Sequence, residues 1–176
     1  MKKPMLLSNY PDYKEKIESF PVVYIQPKLN GWRCIIDTKN GILYSREGNI
    51  FNLPHISEDV LKMSDLPDFI DGELYCHGKT LGNIASMIRN GSREIKLYCF
   101  DVISKDIFSK RLEILMNIRE TENIRTVATE RITPHQIKKC YKQYLKMDLE
   151  GAVIRLDKKY ENKRSSNIFK LKPIYD

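Results

Sequence analysis

The chain has 176 residues, 41% of them hydrophobic and 30% charged, with a formal net charge of +7. That length suits one sizeable domain, with two lobes at most, and the composition excludes a disordered or fibrous chain. No apolar run approaches the ~20 residues of a membrane span, and the basic balance favours a polyanionic partner, because lysine and arginine displace counterions from phosphates.

Met1-Lys2-Lys3-Pro4-Met5-Leu6-Leu7 opens the chain with a short apolar stretch that Ser8-Asn9-Tyr10-Pro11-Asp12 ends, far short of a signal peptide, so an intracellular protein is expected. Val22 to Gln26, Trp32 to Asp37 and Ile42 to Ser45 are β-rich runs separated by Asn30-Gly31 and Asn40-Gly41, and Asn-Gly between apolar runs signals hairpins. Phe69 to Cys76 reads as the next strand. Leu81, Ile84, Ala85 and Ile88 then have helical spacing, with Asn90-Gly91 as the stop. After a strand at Ile95 to Phe100, Thr133-Pro134-His135-Gln136 supplies an N-cap, a proline at the first helical position and a capping-box glutamine. The helix it opens buries Ile137, Cys140, Tyr141, Tyr144 and Leu145. Lys138, Lys139, Lys142 and Lys146 lie opposite, as a solvated face or one that touches DNA. Strands at Ala152 to Leu156 and Ile168 to Lys172 close the chain. Hairpins mixed with helices predict an α+β fold of antiparallel sheets flanked by helices.

Cys34, Cys76, Cys99 and Cys140 stand far apart without metal-ligand spacing, and they read as buried free thiols of a reducing compartment. Cys76-His77 is the nearest approach to a metal pair, but neighbours on a strand point to opposite faces. Gly78-Lys79-Thr80 ends like a phosphate-binding loop, yet the position five before Gly78 is Glu73 rather than glycine, so that reading fails.

Lys28-Leu29-Asn30-Gly31-Trp32-Arg33 is a stronger constellation, a lysine between a strand and a tight turn. A lysine amine is a nucleophile only when unprotonated, and against a reference pKa of ~10.4 that takes desolvation or neighbouring cations. Lys170-Leu171-Lys172 offers such cations, since alternation turns both lysines to one face of a strand, where they also suit a triphosphate.

In their order along the chain these segments resemble the covalent nucleotidyltransferases: ATP-dependent DNA ligases, RNA ligases and mRNA capping enzymes. Lys28 to Arg33 looks like the Lys-x-Asp-Gly-x-Arg nucleophile motif and Ser45-Arg46-Glu47-Gly48 like the Ser-Arg element. Asp71-Gly72-Glu73, Tyr98-Cys99-Phe100-Asp101, Glu150-Gly151-Ala152-Val153-Ile154-Arg155 and Lys170-Leu171-Lys172 are similar to the motifs that follow. The run as a whole most resembles the adenylation domain of small viral and phage DNA ligases.

The resemblance implies attack of Lys28 on the α-phosphate of ATP, transfer of AMP to the 5′-phosphate of a nick, and sealing by the 3′-hydroxyl. It implies that Glu73 binds the ribose, that Phe100 offers a face to adenine and that Gln26 reads the base edge. Arg33 and Arg164 are implied to handle the nucleotide, and Arg46 the nick phosphate. Glu150 is implied to hold Mg2+, while Lys170 and Lys172 grip the α-phosphate. ATP and nicked duplex DNA are the expected partners of a monomer, with no membrane.

Two features depart from the family pattern. Asn30 stands where the commonest motif has aspartate, keeping an acceptor oxygen and losing a charge. The family's OB-fold domain, with its sixth, basic motif, is not expected within residues 1–176, which read as the nucleotidyltransferase domain alone. An RNA ligase, a capping enzyme or a non-enzymatic basic nucleic-acid-binding module are the alternatives. Against capping enzymes stands Glu150-Gly151, where they usually carry Asp-Gly, whereas Phe169-Lys170-Leu171-Lys172-Pro173 would suit them.

Overall fold

A computed structural model describes residues 3–173, so the sequence readings at Met1-Lys2 and at Ile174-Tyr175-Asp176 lie outside the described residues. The chain runs β1 (Leu6–Asn9), α1 (Lys14–Glu18), β2 (Val23–Lys28), β3 (Trp32–Asp37), β4 (Ile42–Tyr44), β5 (Ile50–Phe51), α2 (Pro54–Lys62), β6 (Phe69–Tyr75) and α3 (Leu81–Arg89). It continues through β7 (Lys96–Val102), α4 (Phe108–Met116), β8 (Ile124–Thr126), β9 (Glu130–Ile132), α5 (Ile137–Lys146), β10 (Gly151–Arg155) and β11 (Arg164–Leu171).

The described residues divide into two compact units, one built chiefly of residues 30–104 and 110–127, the other of residues 5–29, 105–109 and those from 128 onward. The first unit holds a six-stranded sheet in the order β5-β4-β3-β6-β7-β8, the second a five-stranded sheet in the order β1-β11-β10-β2-β9. Most neighbours are antiparallel, as expected. The edge pairs β1 with β11 and β7 with β8 are parallel, so the sheets are mixed.

The hairpin expected at Asn30-Gly31 does not form. β2 belongs to one sheet and β3 to the other, and residues 29–31 are the crossover between them. Gly31 answers a different constraint: a Cβ there would lie 2.2 Å from the Leu74 carbonyl oxygen and 2.9 Å from Glu73 Cγ, so the close approach of the chain to β6 requires glycine. At Asn40-Gly41 the hairpin is present, β3 pairing with β4 from Asp37 opposite Ile42, and the Asp37 carboxylate holds the turn by accepting from the Asn40 N–H.

In the second unit, alternation along β2, β10 and β11 divides the side chains cleanly. Val23, Ile25, Ala152, Ile154, Phe169 and Leu171 face a core completed by Ile137, Cys140, Tyr141 and Tyr144 of α5. Gln26, Lys28 and Lys170 face the other way, by their register opposite Val153 and Gly151. Pro27 is tolerated in β2 because the three-residue β9 ends opposite Ile25, leaving Pro27 paired on one side. The helix expected from Thr133 begins as a 3₁₀ turn, Pro134–Gln136, with Thr133 N–H donating to Gln136 Oε1, and becomes α-helical at Ile137. Its four lysines are exposed, as the pattern predicted.

In the first unit Thr80 caps α3, its hydroxyl accepting from Asn83 N–H at 3.1 Å, so Gly78-Lys79-Thr80 serves as a turn and cap. Cys34 and Cys99 are fully buried, and burial, with other causes, raises both thiols, Cys99 to about 12. Cys76 is only half-buried, unlike the other three. Beneath β7 the Asp101 carboxylate accepts from Arg111 Nε at 2.8 Å and Nη2 at 3.2 Å, an ion pair whose side chains are 0% and 1% exposed.

A buried guanidinium is more important for the carboxylate it neutralises than for the net energy of the pair. Arg111→Met is expected to lower the unfolding free energy by about 3–5 kcal/mol, because it strands the Asp101 charge in the core. Adding Asp101→Asn should recover much of the loss. Urea titration of the parent and the two variants measures this, and a single variant as stable as the parent would show that the pair does not hold β7.

Candidate active site

Glu150 is delivered to the second unit's sheet by a short turn after α5 in which Asp148 takes a left-handed conformation, one that aspartate tolerates better than most residues. Its N–H donates to the Lys28 carbonyl at 3.1 Å, continuing the β2 with β10 ladder by one step. The carboxylate then bridges two ammonium groups: Lys28 Nζ lies 2.8 Å from Oε2, and Lys172 Nζ lies 3.3 Å from Oε1. Each side chain of this triad is about one-fifth exposed, 21%, 21% and 24%. Lys170 stands on the same face. Burial foremost, and then Lys172, Lys28 and Arg164, lower its pKa below the ordinary lysine value, while Glu150 pulls the other way.

Gly151 makes the arrangement possible. A Cβ at that position would lie 2.0 Å from the Leu171 carbonyl oxygen, so any side chain there would force β10 away from the strand that carries Lys170. Arg164, at the start of β11, is exposed and donates through Nη1 to the Leu7 carbonyl.

Gln26 lies on the Lys28 face but is 1% exposed. Its Oε1 accepts from Arg155 Nε at 2.8 Å and its Nε2 donates to Thr129 Oγ1 at 2.9 Å. Arg155 is 2% exposed and lies with its guanidinium 4.8 Å from the centre of the Phe108 ring. Both ends of the Gln26 amide are therefore engaged within a buried polar network. Sequence reasoning assigned no role to Arg155 or Thr129. An arginine closing the apolar strand Ala152-Val153-Ile154 was the available signal.

The first unit gathers a second set. Arg33 Nε and Nη2 donate to the two oxygens of Asp71 at 2.6 Å each, a two-pronged pair on a carboxylate that is almost wholly buried. The same guanidinium lies 5.0 Å from the centre of the Phe100 ring, within cation–π range. Glu73 Oε2 accepts from Gly31 N–H at 3.2 Å. Asp71 and Glu73 share a strand face by alternation, which is why Asp-Gly-Glu brings both carboxylates to this surface. Asp71, unassigned from sequence, is the residue that fixes Arg33. Arg46 is exposed on the β4–β5 turn, which Ser45 closes by pairing its N–H with the Asn49 carbonyl at 2.7 Å and by accepting on its hydroxyl from Asn49 N–H at 3.0 Å.

Residues 4–172 match the family model described as the ATP dependent DNA ligase domain. The chain belongs to this family. Among curated relatives, the DNA ligase of African swine fever virus (strain Badajoz 1971 Vero-adapted) is 29% identical over 182 residues, covering 90% of this chain and 43% of that protein. The chain thus spans less than half the length of the curated relatives it matches.

Two solved structures share the ligase-domain fold. Chlorella virus DNA ligase-adenylate is 23% identical with a TM-score of 0.80, over 98% of this chain and 69% of that one. The ATP-dependent DNA ligase of bacteriophage T7, in complex with ATP, is 13% identical with a TM-score of 0.71, over 98% and 68%. The resemblance to viral and phage ligases drawn from the motifs is thereby matched. No helix among the described residues is long and apolar enough to cross a membrane.

Removing Glu150 leaves Lys28, Lys170 and Lys172 without the carboxylate that lies between two of them. Glu150→Ala is expected to destabilise the chain by about 1–2 kcal/mol at low salt, between the values for exposed and buried pairs. The gap should narrow as added salt shortens the screening length. Thermal unfolding at low and high salt tests this, and a gap that does not respond to salt would mean that the loss is one of packing.

Proposed function

We propose that the chain carries out the adenylyl-transfer chemistry of an ATP-dependent DNA ligase, with Lys28 as nucleophile. The unprotonated Nζ attacks the α-phosphorus of ATP, the bond to the β-phosphate oxygen breaks, pyrophosphate leaves, and a lysyl-AMP phosphoramidate remains. A 5′-phosphate oxygen at a nick in duplex DNA then displaces Lys28 from the AMP phosphorus, and Nζ regains its proton. Finally the 3′-hydroxyl attacks the 5′-phosphorus, AMP leaves, and the strand is sealed. The observation that carries the reading is the Lys28–Glu150–Lys172 arrangement with Lys170 beside it, drawn from three segments far apart in sequence.

Lys170 and Lys172 supply positive charge for the α-phosphate as its charge builds in the transition state. Glu73 accepts from a ribose hydroxyl, and Phe100 offers adenine a flat face whose position Arg33 sets from one side. Gln26, buried and engaged at both ends of its amide with Arg155 and Thr129, supports the Lys28 strand from within instead of reading the base edge itself. Arg164 and Arg46 suit nucleotide and nick phosphates, since a guanidinium fork matches phosphate oxygens.

Glu150 is also the carboxylate suited to Mg2+. Among the described residues no three histidine, cysteine, aspartate or glutamate side chains converge, and Mg2+ commonly takes one or two carboxylates together with substrate phosphates. Bound there, the ion would neutralise phosphate charge, while Lys170 and Lys172 remain the protein's own cations at the site. Residues 1–176 are proposed to be the adenylation domain, acting inside the cell as a monomer on DNA.

Intact-mass measurement of the purified protein should reveal a population heavier by one AMP, which pyrophosphate removes. Lys28→Ala and Lys28→Arg are expected to lack it, the first for want of an amine and the second because guanidinium stays protonated. An adduct formed at parental yield in either variant would place the nucleophile elsewhere. Labelled ATP set against labelled GTP separates a ligase from a capping enzyme.

Phe100→Ala should weaken ATP binding by about 1 kcal/mol through lost stacking, and Glu73→Ala should lower adduct formation with little change in unfolding midpoint. If Glu73→Ala unfolds the chain yet leaves activity per folded molecule unchanged, the ribose assignment falls.

A further inference from the structure

α5 presents its lysines in a way that the adenylation chemistry does not use. Ile137, Cys140, Tyr141 and Tyr144 bury one side of the helix against the sheet, and Lys138, Lys139, Lys142 and Lys146 are exposed on the other. No acidic residue occurs in Ile137–Lys146. None of the four lysines makes an ion pair or hydrogen bond among the described residues, whereas Lys14 pairs with Glu18 and Lys110 with Glu113; Lys39, Lys62 and Lys105 are exposed without an ion pair too, but stand singly rather than in a stripe. The acid that the helix does feel, Glu130, acts on its buried side, where burial and then Glu130 raise the Cys140 thiol and the Tyr144 phenol.

Lys138, Lys142 and Lys146 recur every fourth residue, about 6 Å apart along the axis on one stripe. Like charges at that spacing each cost a helix a few tenths of a kcal/mol; the helix dipole favours Lys146 in the last turn, but no acidic side chain of the helix offsets the rest of the stripe. A polyanion would. The stripe also lies on the far side of the sheet from Lys28, because α5 packs on the face that holds Ile25 and Ile154 while Lys28 and Lys170 occupy the opposite one. DNA seated on α5 is therefore a different segment from the one whose end reacts at Lys28.

We propose that this face of α5 is a second, sequence-independent docking surface for the backbone of duplex DNA, one that holds the protein on unbroken duplex. The proposal rests on the reading of the chain as acting on DNA. Its energy is counterion release, so its signature is the salt dependence of binding rather than any base preference.

The test uses the chain with Lys138→Gln, Lys142→Gln and Lys146→Gln together, beside a control that removes the same charge elsewhere through Lys39→Gln, Lys62→Gln and Lys105→Gln. Binding to a short un-nicked duplex is measured between about 50 and 200 mM salt, where each lost phosphate contact lowers the slope of log affinity against log salt by about 0.9. The α5 variant should lose about 2 to 3 in slope and the control much less. A version with the three lysines replaced by arginine should keep the parental slope. AMP-adduct formation should be equal in all, since the stripe takes no part in attack on ATP.

Equal losses in the α5 variant and the control would overturn the proposal, reducing the effect to net charge. So would an α5 variant that binds duplex like a parent that does bind it, and that outcome leaves the ligase reading intact. Failure of the parent to bind any duplex, nicked or whole, would sink the DNA reading and the proposal with it. Loss of binding to phosphatidylserine vesicles with duplex binding unchanged would assign the stripe to a membrane surface instead.

Discussion

Three ammonium groups can share one corner of a sheet only if something holds their repulsion down, and in this chain the carboxylate of Glu150 does so, one oxygen to Lys28 and the other to Lys172. Like charges about 5 Å apart repel by roughly 3 kcal/mol at an effective dielectric of about 20, so the arrangement is not one that lysines adopt unaided. Much of the second unit's architecture follows from keeping that carboxylate in place. The left-handed Asp148 turns the chain out of α5, the Glu150 N–H extends the ladder with β2, and Gly151 lets β11 approach as closely as it does. The core face of the same strands fixes their register, because a slip of one residue would exchange Ile25 and Ile154 for Gln26 and Val153. Site geometry and hydrophobic packing are thus two consequences of one alternation.

The sequence announced that alternation directly. Val22 to Gln26, Trp32 to Asp37, Phe69 to Cys76 and the last two strands were legible because period-two patterning over β-branched and aromatic residues has few other outcomes. α5 was legible down to its lysine face because a capping sequence and a clear apolar stripe agree. Asn30-Gly31 misled because the dipeptide states only that the chain turns. Whether it turns into a hairpin or crosses to another sheet depends on what Gly31 meets, here the Leu74 carbonyl more than forty residues away. β1, α1, β5, α2, α4, β8 and β9 escaped notice since they are short or draw their order from partners: Leu6–Asn9 is a strand by pairing with β11, more than 150 residues later.

The same limit governed the site. Resemblance named Lys28, Glu73, Glu150, Lys170 and Lys172, but not the polar partners that the structure places on other motif residues. Asp71 holds Arg33 across adjacent strands, Arg155 holds Gln26 across a separation of 129 residues, and Arg111 neutralises Asp101. Each has at least one wholly buried charged or polar member, and burial decides that such a group must be satisfied without leaving a local pattern that says by whom. Arg33 is the instructive case. As a nucleotide ligand it would be expected to reach outward, yet its fork meets Asp71 and its guanidinium lies 5.0 Å from the centre of the Phe100 ring.

A net charge of +7 is therefore not one property of this chain. At the Glu150 cluster, positive charge is gathered and partly neutralised, and screening there weakens attraction and repulsion together, which leaves the geometry to packing and to the β2–β10 ladder. On α5, positive charge is gathered and meets no protein partner among the described residues. Salt there does two opposed things: it relieves the repulsion among Lys138, Lys142 and Lys146, and it removes the counterion-release gain that a bound polyanion would bring. A surface of the second kind is most effective at low ionic strength and contributes little selectivity. A cluster of the first kind depends on ionic strength less and on the placement of single atoms more. That the two occupy opposite faces of one five-stranded sheet lets the chain keep a permissive grip and an exacting one without either field setting the other.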